Sequence, residues 1–405
     1  MKKRFREVCV ACCALLALVA APVSAAGAEK PAEKRPQNTA LSYEQNEDRT
    51  SFIVLVRKAR QGDAEAQWQV GQTYVRLGEP ARSVPMLQSA AAAGHPRAAA
   101  LLGSLYEDGM GMAKSLEEAL RWYRFAAERE QPEAMAALGR LLLRERGPEA
   151  RESAWKWLRQ AALREDRDGQ YHLGWLLDQP GAAYDDVAAF GWFIKAAGQG
   201  HVGAQVAVAA HLLGGRGVPK DQKAAAVWLE RAAGTQDPVA NYLLGRLREN
   251  EGGSGQDRAR NAYGIAAAAG HREAQFALAA MLARSSVAVD RKEAVEWFAK
   301  AHEDGHRAAA NRLGEAYRDG AGVVRQPDKA KGYFEAAAKQ GDANAMYNLA
   351  KMYDGGLGET RDTGQALRWY SRAAEQGHEE AGMVVEGLLN SSVKTSALGL
   401  KGFWQ

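Results

Sequence analysis

The sequence predicts an all-α protein, a right-handed α-solenoid of nine helix pairs with capping helices at its ends. The first observation is a recurring phrase: a Leu-Gly pair, a Tyr, a Gly-rich loop, an aromatic pair, an Ala-Ala pair and Gly-His. The second is a period of 32 to 36 residues. A repeat of this length holds two helices, which must stack on neighbouring repeats to bury their apolar faces. The small residue four positions before each Leu marks the repeats at Ala66, Ala98, Ala134, Gly169, Ala204, Ala240, Ala274, Ala309 and Ala345, with an incomplete tenth start at Ala381.

The two helices of each repeat are predicted to pack large side chains against small ones. In the second repeat, Leu102 and Tyr106 share one face of the first helix, because residues four apart lie on the same side. Gly103 leaves room beside them, and we predict that Trp122 of the second helix fills it. The same second-helix position holds Met86, Trp122, Trp157, Trp192, Trp228, Ala262, Trp297, Tyr333 and Trp369.

The glycines between paired helices are predicted to end the first helices in left-handed conformations, as in Gly109-Met110-Gly111. Phosphate binding is the alternative, but none of these loops has the P-loop or dinucleotide spacing. Aspartates that follow the loops are predicted to start the second helices. They are Asp221, Asp328 and Asp362.

The chain begins with the features of a cleavable secretory signal. Basic residues at 2–6 precede an apolar run from Val8 to Ala21, and small residues favour cleavage after Ala25, with Ala28 as the next candidate. We therefore expect periplasmic export, with lipid anchoring at Cys12 or Cys13, or release outside the cell, as alternatives. The predicted segments are a signal peptide at 1–25, a flexible linker at 26–50, the solenoid at 51–390 and a C-terminal tail at 391–405.

Composition excludes several classes of function. All three cysteines lie in the first thirteen residues, so the remaining chain predicts neither a disulfide framework nor a thiolate metal site. The net charge of +4 includes four basic residues and one acidic residue within 1–25, which leaves about +1 on the rest. No stripe of Lys and Arg with interleaved aromatics indicates nucleic-acid binding. No apolar stretch after the signal reaches the length of a membrane span.

These motifs resemble the Sel-one-like repeat family, relatives of the tetratricopeptide repeats with a longer Gly-rich loop. The resemblance covers about residues 64–390, and Gly215 to Asp221 matches the loop pattern nearly in full. Three repeats depart from it: the first has a short loop at Gly78–Pro80, the third lacks loop glycines near Gly147, and the sixth has Ala262 in place of Trp. The resemblance implies an adaptor protein, and exported bacterial members resemble scaffolds of envelope complexes.

Catalytic and metal-binding motifs give little support to an enzyme. Ser391 to Lys394 fits the Ser-x-x-Lys pattern of penicillin-binding enzymes, but Ser153 to Lys156 fits it equally, and the partner motifs are missing. No catalytic residue, metal site or cofactor is predicted. Five histidines occupy the same position after Gly at repeat boundaries, about one repeat or more apart, which favours a joining role over metal ligation. They are His95, His201, His271, His306 and His378.

The candidate binding surface is the face of the first helices that points away from the helix-pair core. The position two residues before the Leu, here called the aromatic slot, points about 160° away from that Leu. An aromatic residue occupies it in five repeats. These rings either grip a partner in the concave groove or pack against the next repeat. The candidate partner-binding residues are Trp68, Arg140, Tyr171, Trp175, Tyr242, Arg246, Phe276, Asn311 and Tyr347.

The sequence therefore predicts a non-catalytic scaffold of the bacterial cell envelope that binds a protein or peptide on its concave face. One alternative is a β-lactam-active or cell-wall-active enzyme, as the resemblance implies for cysteine-rich members of the family. Another is an assembly factor for exopolysaccharide export. The sequence leaves the identity of the partner and the oligomeric state open.

Overall fold

The computed structural model describes residues 51–145, 147–179, 185–358 and 360–387. Within these ranges eighteen helices follow one another as nine pairs, flanked by helical segments at 51–60 and 379–387, and no strand is present there. In eight of the nine pairs, each helix packs most extensively against its partner in the pair. The predicted all-α solenoid of helix pairs is therefore confirmed. The predicted signal peptide, linker and C-terminal tail lie outside the described residues.

The helices divide into two compact modules, which are described separately. The N-terminal module contains residues up to Ala204 together with Arg216–Pro219, and the C-terminal module contains Gln205–Gly215 and residues from Lys220 onward. The first four repeats comprise α1 (Ala64–Arg76), α2 (Pro80–Ala92), α3 (Pro96–Asp108), α4 (Leu116–Ala127), α5 (Pro132–Leu142), α6 (Pro148–Leu163), α7 (Arg167–Asp178) and α8 (Asp186–Gly198).

The remaining five repeats continue the same alternation of first and second helices. Most of them belong to the C-terminal module, although α9 begins within the N-terminal one. Their helices are α9 (Val202–Gly214), α10 (Gln222–Ala233), α11 (Pro238–Glu249), α12 (Ser254–Ala268), α13 (Arg272–Ala283), α14 (Ala288–Glu303), α15 (Ala309–Asp319), α16 (Pro327–Lys339), α17 (Ala343–Gly355) and α18 (Thr363–Glu375).

The bulky side chain that fills the space beside the Leu-Gly glycine is not the predicted tryptophan. A Cβ added to Gly103 would lie 2.8 Å from a ring carbon of Tyr123, the residue after Trp122. Trp122 itself is only half-buried. The prediction was wrong by one residue, since adjacent residues on a helix point about 100° apart. The residues that face this glycine elsewhere are Leu87, Leu158, Phe193, Tyr263 and Phe334.

The second glycine of the inter-helix loop makes a close approach between repeats. A Cβ at Gly322 would lie 2.2 Å from the backbone oxygen of Arg291, in the second helix of the preceding repeat. Gly111 lies equally close to the backbone at Ala81, where a Cβ would be 2.4 Å from the amide nitrogen. Both glycines also have positive φ angles, so any side chain there would be strained. These loops therefore connect consecutive repeats as well as ending helices.

Helix ends follow the predicted chemistry with one exception. Gly109 and Gly320 end their helices in the left-handed conformation. Asp221 and Asp362 precede α10 and α18, and each side chain accepts a hydrogen bond from a backbone amide of the first turn. Asp328 was predicted to start a helix but lies inside α16, because Pro327 occupies the first position.

Candidate interaction surface

The aromatic slot contacts the start of the next repeat, in a contact between consecutive repeats that is here called a joint. In every joint where the slot is aromatic, its ring stacks on the histidine that precedes the next first helix. Interplanar angles of 13° to 24° show parallel stacking. The centroid distances are 5.5 Å for Trp68 and His95, 4.2 Å for Tyr171 and His201, 4.7 Å for Tyr242 and His271, 4.0 Å for Phe276 and His306, and 4.3 Å for Tyr347 and His378.

The aromatic slot residue and the boundary histidine occur together along the chain. In the four joints whose slot is not aromatic, the next repeat begins with Asp or Gln in place of His. The pairs are Ala100 with Gln131, Ala136 with Asp166, Val206 with Asp237, and Asn311 with Asp342. A ring at the slot and a histidine at the boundary thus occur together in this chain, and each provides the flat surface on which the other packs. This co-occurrence is visible in the sequence, and our sequence reasoning missed it.

Four of the boundary histidines also start a helix. Their Nδ1 atoms accept the backbone N–H three residues on, at 3.1 Å from Ala98, 3.0 Å from Ala204, 3.2 Å from Ala274 and 3.3 Å from Ala381. An accepting Nδ1 places the proton of the neutral ring on Nε2. The joining role predicted for these histidines is confirmed, since each connects the aromatic slot of one repeat to the first turn of the next.

In three joints the Nε2 atom faces a carboxylate of the preceding first helix. His95 lies 2.9 Å from Glu65, His201 lies 3.4 Å from Asp168, and His306 lies 3.1 Å from Glu273. His306 differs from the others, because its Nδ1 is buried without a hydrogen-bond partner among the described residues.

Burial favours the neutral form of two of these rings. Desolvation lowers the pKa of His201 below its ordinary 6.5, although the nearby Asp168 carboxylate acts in the opposite direction. His306 has a lowered pKa for the same reason, against the opposing effect of Glu273. The pKa of the neighbouring His172 is lowered to about 4, first by burial and then by the positive charge of Arg140.

Arg140 belongs to a polar joint between the second and third repeats. Its guanidinium makes two hydrogen bonds to the Glu107 carboxylate, of 2.6 and 2.8 Å, and the Tyr123 hydroxyl donates to the same group at 3.2 Å. Burial alone would raise the pKa of Glu107, but the hydrogen bonds and charge of Arg140 outweigh it and hold that pKa below its usual value. Sequence reasoning missed Glu107, which is 7% exposed.

Asn311 lies in a second polar joint, between the eighth and ninth repeats. It is buried, and its side-chain oxygen accepts a hydrogen bond from the amide of Asn348 at 3.0 Å. Arg318 donates to Asn348 at 2.9 Å, and Glu315 accepts from both asparagines. A fully satisfied buried amide pair of this kind fixes the register of the two repeats.

Two of the nine predicted partner-binding residues are exposed. Trp175 of α7 is 40% exposed, and no hydrogen bond or ring contact involves it within the described ranges. Arg246 of α11 is exposed, with its guanidinium 5.9 Å from the Tyr242 ring centroid. The five slot aromatics, Arg140 and Asn311 are engaged in their own joints and do not form a single cluster.

A cleft of about 550 Å³ opens between the seventh and eighth repeats of the C-terminal module. Val295 and Phe298 form part of its apolar floor, and Arg312 and Glu315 lie at its polar edge. Ala283, exposed at the end of α13, lines the same cleft.

The Ser-x-x-Lys sequence inside α6 shows no catalytic arrangement. Ser153 and Lys156 are both exposed, and the lysine pairs with Glu152 at 2.8 Å. The second such sequence, Ser391 to Lys394, lies outside the described residues. Among the described helices, none combines the length and apolar character needed to cross a bilayer.

Stacked helix pairs joined in this way define a tetratricopeptide-like helical-repeat protein, a class that typically mediates protein interactions. The chain belongs to the Sel1 repeat family, which confirms the resemblance seen in its sequence. The matched spans omit 64–95 and 235–271, which contain two of the three repeats that depart from the pattern. The Sel1 repeat matches residues 96–130, 132–166, 167–201, 202–234, 272–306, 307–342 and 343–378.

Several solved structures resemble the chain, and two of them are described as Sel1-like repeat proteins. A protective antigen of uropathogenic Escherichia coli is 24% identical over 84% of this chain and 90% of its own, with a TM-score of 0.39. A Sel1 repeat protein of Oxalobacter formigenes is 27% identical over 92% and 99%, with a TM-score of 0.38. An immunity protein of Pseudomonas aeruginosa is 21% identical over 52% and 81%, with a TM-score of 0.32. No curated protein matches the chain.

Proposed function

We propose that this protein is a non-catalytic interaction scaffold of the bacterial cell envelope, which binds a protein or peptide partner on the concave face formed by its first helices. Membership in the Sel1 repeat family supports the scaffold role, since such proteins are typically interaction scaffolds. The observation that carries the choice of face is Trp175, a large aromatic that is 40% exposed on a first helix. Exposed tryptophans are enriched among the residues that dominate binding energy.

The stacked aromatics support this surface indirectly. Tyr171 and Tyr242 each pack one ring face on a histidine, so their contribution to a partner would come from the other face and from the phenol oxygen. Trp175 and Arg246 are therefore the first residues to test. In the C-terminal module, the cleft beside Ala283 offers an apolar floor and charged edges to a partner segment.

The test is site-specific crosslinking in intact cells with the Trp175→Ala variant. Trp155→Ala is the matched control, because Trp155 is a comparably exposed tryptophan, at 36%, on the second helix α6. We expect Trp175→Ala to lose at least one captured protein that the wild type and Trp155→Ala both retain. Retention of every partner by Trp175→Ala, or an equal loss in both variants, would contradict the choice of face.

A second pair of variants tests whether the cleft takes part in partner binding. Ala283→Trp places a large ring in the cleft from an exposed position, whereas Val289→Trp adds the same ring at a site that is already 72% exposed on α14. We expect Ala283→Trp to reduce partner capture and Val289→Trp to leave it unchanged. If neither variant affects capture, the cleft is not part of the binding surface.

Export to the periplasm belongs to the same proposal and rests on the signal-like features of residues 1–25. Cell fractionation followed by N-terminal sequencing checks it. We expect the purified protein to begin at Ala26, or at Glu29 if cleavage follows Ala28. Recovery of the uncleaved chain from the cytoplasm would contradict export while leaving the scaffold role open to its own test.

A further inference from the structure

Three clefts follow one another along the C-terminal module and share lining residues. The first cleft, of about 470 Å³, lies between the sixth and seventh repeats. The second is the 550 Å³ cleft described above, and the third, of about 510 Å³, lies between the eighth and ninth repeats. Arg284 lines the first and second clefts, and Asp319 lines the second and third. The three adjoining clefts are here called the C-terminal groove.

The charge of the C-terminal groove differs between its two ends. The first cleft is lined by three carboxylates and two guanidiniums, which leaves an excess of one negative charge. The third cleft is lined by three cations and a single carboxylate, which leaves an excess of two positive charges. The groove is therefore electrostatically directional, and its third cleft is complementary to an acidic group.

Two cations of the third cleft are available to such a group. Arg318 is engaged, because it makes two hydrogen bonds of 2.8 Å to the Asp319 carboxylate. The exposed Arg325 and Lys351 lie at ion-pair distance from no carboxylate in the part of the chain that the structure describes. The Nε of Arg325 donates to the backbone oxygen of Arg318 at 3.0 Å, which holds its guanidinium at the cleft.

All three cations act on the same carboxylate. The pKa of Asp319 is lowered below its ordinary 3.8, first by hydrogen bonds from Arg318, although burial opposes the shift. The positive charges of Arg325 and Lys351 lower this pKa further, so both side chains lie close enough to Asp319 to share one site. One carboxylate leaves most of their charge unbalanced.

The second cleft is suited to an apolar side chain. Val295 and Phe298 of α14 are buried in its floor. Arg312 and Glu315 at its edge pair with each other at 2.9 Å, so their charges are balanced. A space of this size, apolar at its base and polar at its edge, is typical of a pocket that binds one large side chain. Alanines complete the lining, namely Ala280, Ala283, Ala294, Ala316 and Ala321.

We propose that the C-terminal groove binds an extended peptide segment that places an apolar side chain in the second cleft and an Asp or Glu side chain in the third. This inference rests on the scaffold function proposed above and specifies the chemistry of the partner. Packed helical layers lie about 10 Å apart, and an extended chain advances about 3.3 Å per residue. The two side chains should therefore be three or four residues apart. The carboxylates of the first cleft disfavour an acidic residue on the opposite side of the apolar one.

Synthetic peptides test this partner chemistry on the purified protein. Fluorescence polarisation measures its binding to labelled nonapeptides with Leu at the central position, Glu at one of the other eight positions, and Ala, Ser or Thr elsewhere. Matched peptides carry Gln or Lys in place of Glu. We expect Glu three or four residues to one side of Leu to bind about fivefold more tightly than Gln, and Lys to bind more weakly than Gln. Equal affinities for the three sets, or no binding by any peptide, would overturn the proposal.

Charge reversal in the protein assigns the preference to the third cleft. Lys351→Glu removes the excess positive charge from an exposed position, so we expect the discrimination between Glu and Gln peptides to disappear. Arg368→Glu is the control, because Arg368 is exposed on α18 of the same repeat and does not line the third cleft. This control should retain the full preference. Persistence of the preference in Lys351→Glu, or an equal loss in both variants, would overturn the assignment.

The peptide measurements and the crosslinking experiment fail separately. Loss of a captured partner in Trp175→Ala, without any preference for acidic peptides, would refute the partner chemistry and leave the scaffold function standing. Selective binding of acidic peptides, with every captured partner retained by Trp175→Ala, would support the C-terminal groove and contradict only the surface at Trp175.

Discussion

The second repeat is held by different chemistry on its two sides. Toward the first repeat, Trp68 stacks on His95, which caps α3 and faces Glu65. Toward the third repeat the slot is Ala100, and Gln131 makes no side-chain cap bond to α5. There the joint depends on the buried Glu107 carboxylate and its bidentate pair with Arg140.

The comparison shows that one backbone architecture accepts two kinds of joint. The aromatic joint uses a flat, mostly apolar contact that tolerates partial exposure, whereas the polar joint requires complete hydrogen bonding because its carboxylate is buried. The polar joint should therefore be more sensitive to the loss of one group. A single substitution in the aromatic joint should therefore lower the free energy of unfolding by less than one in the polar joint.

The largest effect is expected from Glu107→Ala in the polar joint. Removing the carboxylate leaves the guanidinium of Arg140 and the hydroxyl of Tyr123 without their acceptor, at a cost of about 3 kcal/mol. Chemical denaturation followed by circular dichroism measures it. Glu152→Ala is the control, because its ion pair with Lys156 is exposed and should contribute little to the free energy of unfolding. Similar losses in both variants would refute the distinction between buried and exposed pairs.

Trp68→Ala tests the aromatic joint and should cost about 2 kcal/mol, since the ring is half-buried against His95. Trp68→Phe keeps a stacking surface and should cost less than about 1 kcal/mol. The same denaturation experiment measures both. A loss for Trp68→Ala as large as that for Glu107→Ala would remove the contrast between the two joints.

His95→Ala should cost about 1 to 2 kcal/mol, because both the cap and the stacking partner are removed. His95→Asn preserves the cap and should recover at least half of that loss. Thermal unfolding at pH 7.5 provides the comparison. If Asn and Ala at this position are equally destabilising, the cap contributes nothing and only stacking matters.

Transfer of the aromatic joint to the other side of the repeat sharpens the comparison. Ala100→Trp combined with Gln131→His places the two rings at the boundary between the second and third repeats. We expect a favourable coupling energy of about 0.5 to 1.5 kcal/mol between the two substitutions in a double-mutant cycle. The single variants supply the references. A coupling of zero would mean that the geometry of this joint does not allow stacking.

The smallest expected effect comes from acid at the polar joint. The Glu107 pKa is held below its ordinary 4.5, so the stability that this carboxylate contributes is present above pH 4.5 and declines as pH falls through the lowered value. The protonated carboxyl still accepts from Arg140, so the loss is partial. Denaturation of wild type and Glu107→Gln between pH 5 and 3 should show a weaker pH dependence in the variant.

The sequence predicted the repeats well because their signals are local and recur. The period, the helix-ending glycines and the capping aspartates each reflect the conformation of a few adjacent residues. The candidate surface was predicted less completely. Trp175 and Arg246 are exposed as a binding role requires, whereas Arg140 and Asn311 proved to be buried in joints, where their partners Glu107 and Asn348 come from a neighbouring repeat.

The sequence by itself determined the helix pairs, their number and the family to which the chain belongs, because apolar periodicity and turn chemistry act within each repeat. Tertiary structure alone decided which side of a second helix faces the Leu-Gly glycine, so that Tyr123 and not Trp122 fills the space. It also decided that the slot aromatics stack on histidines some thirty residues away. Such contacts depend on the angle and spacing between packed helices, which no local stretch of sequence encodes.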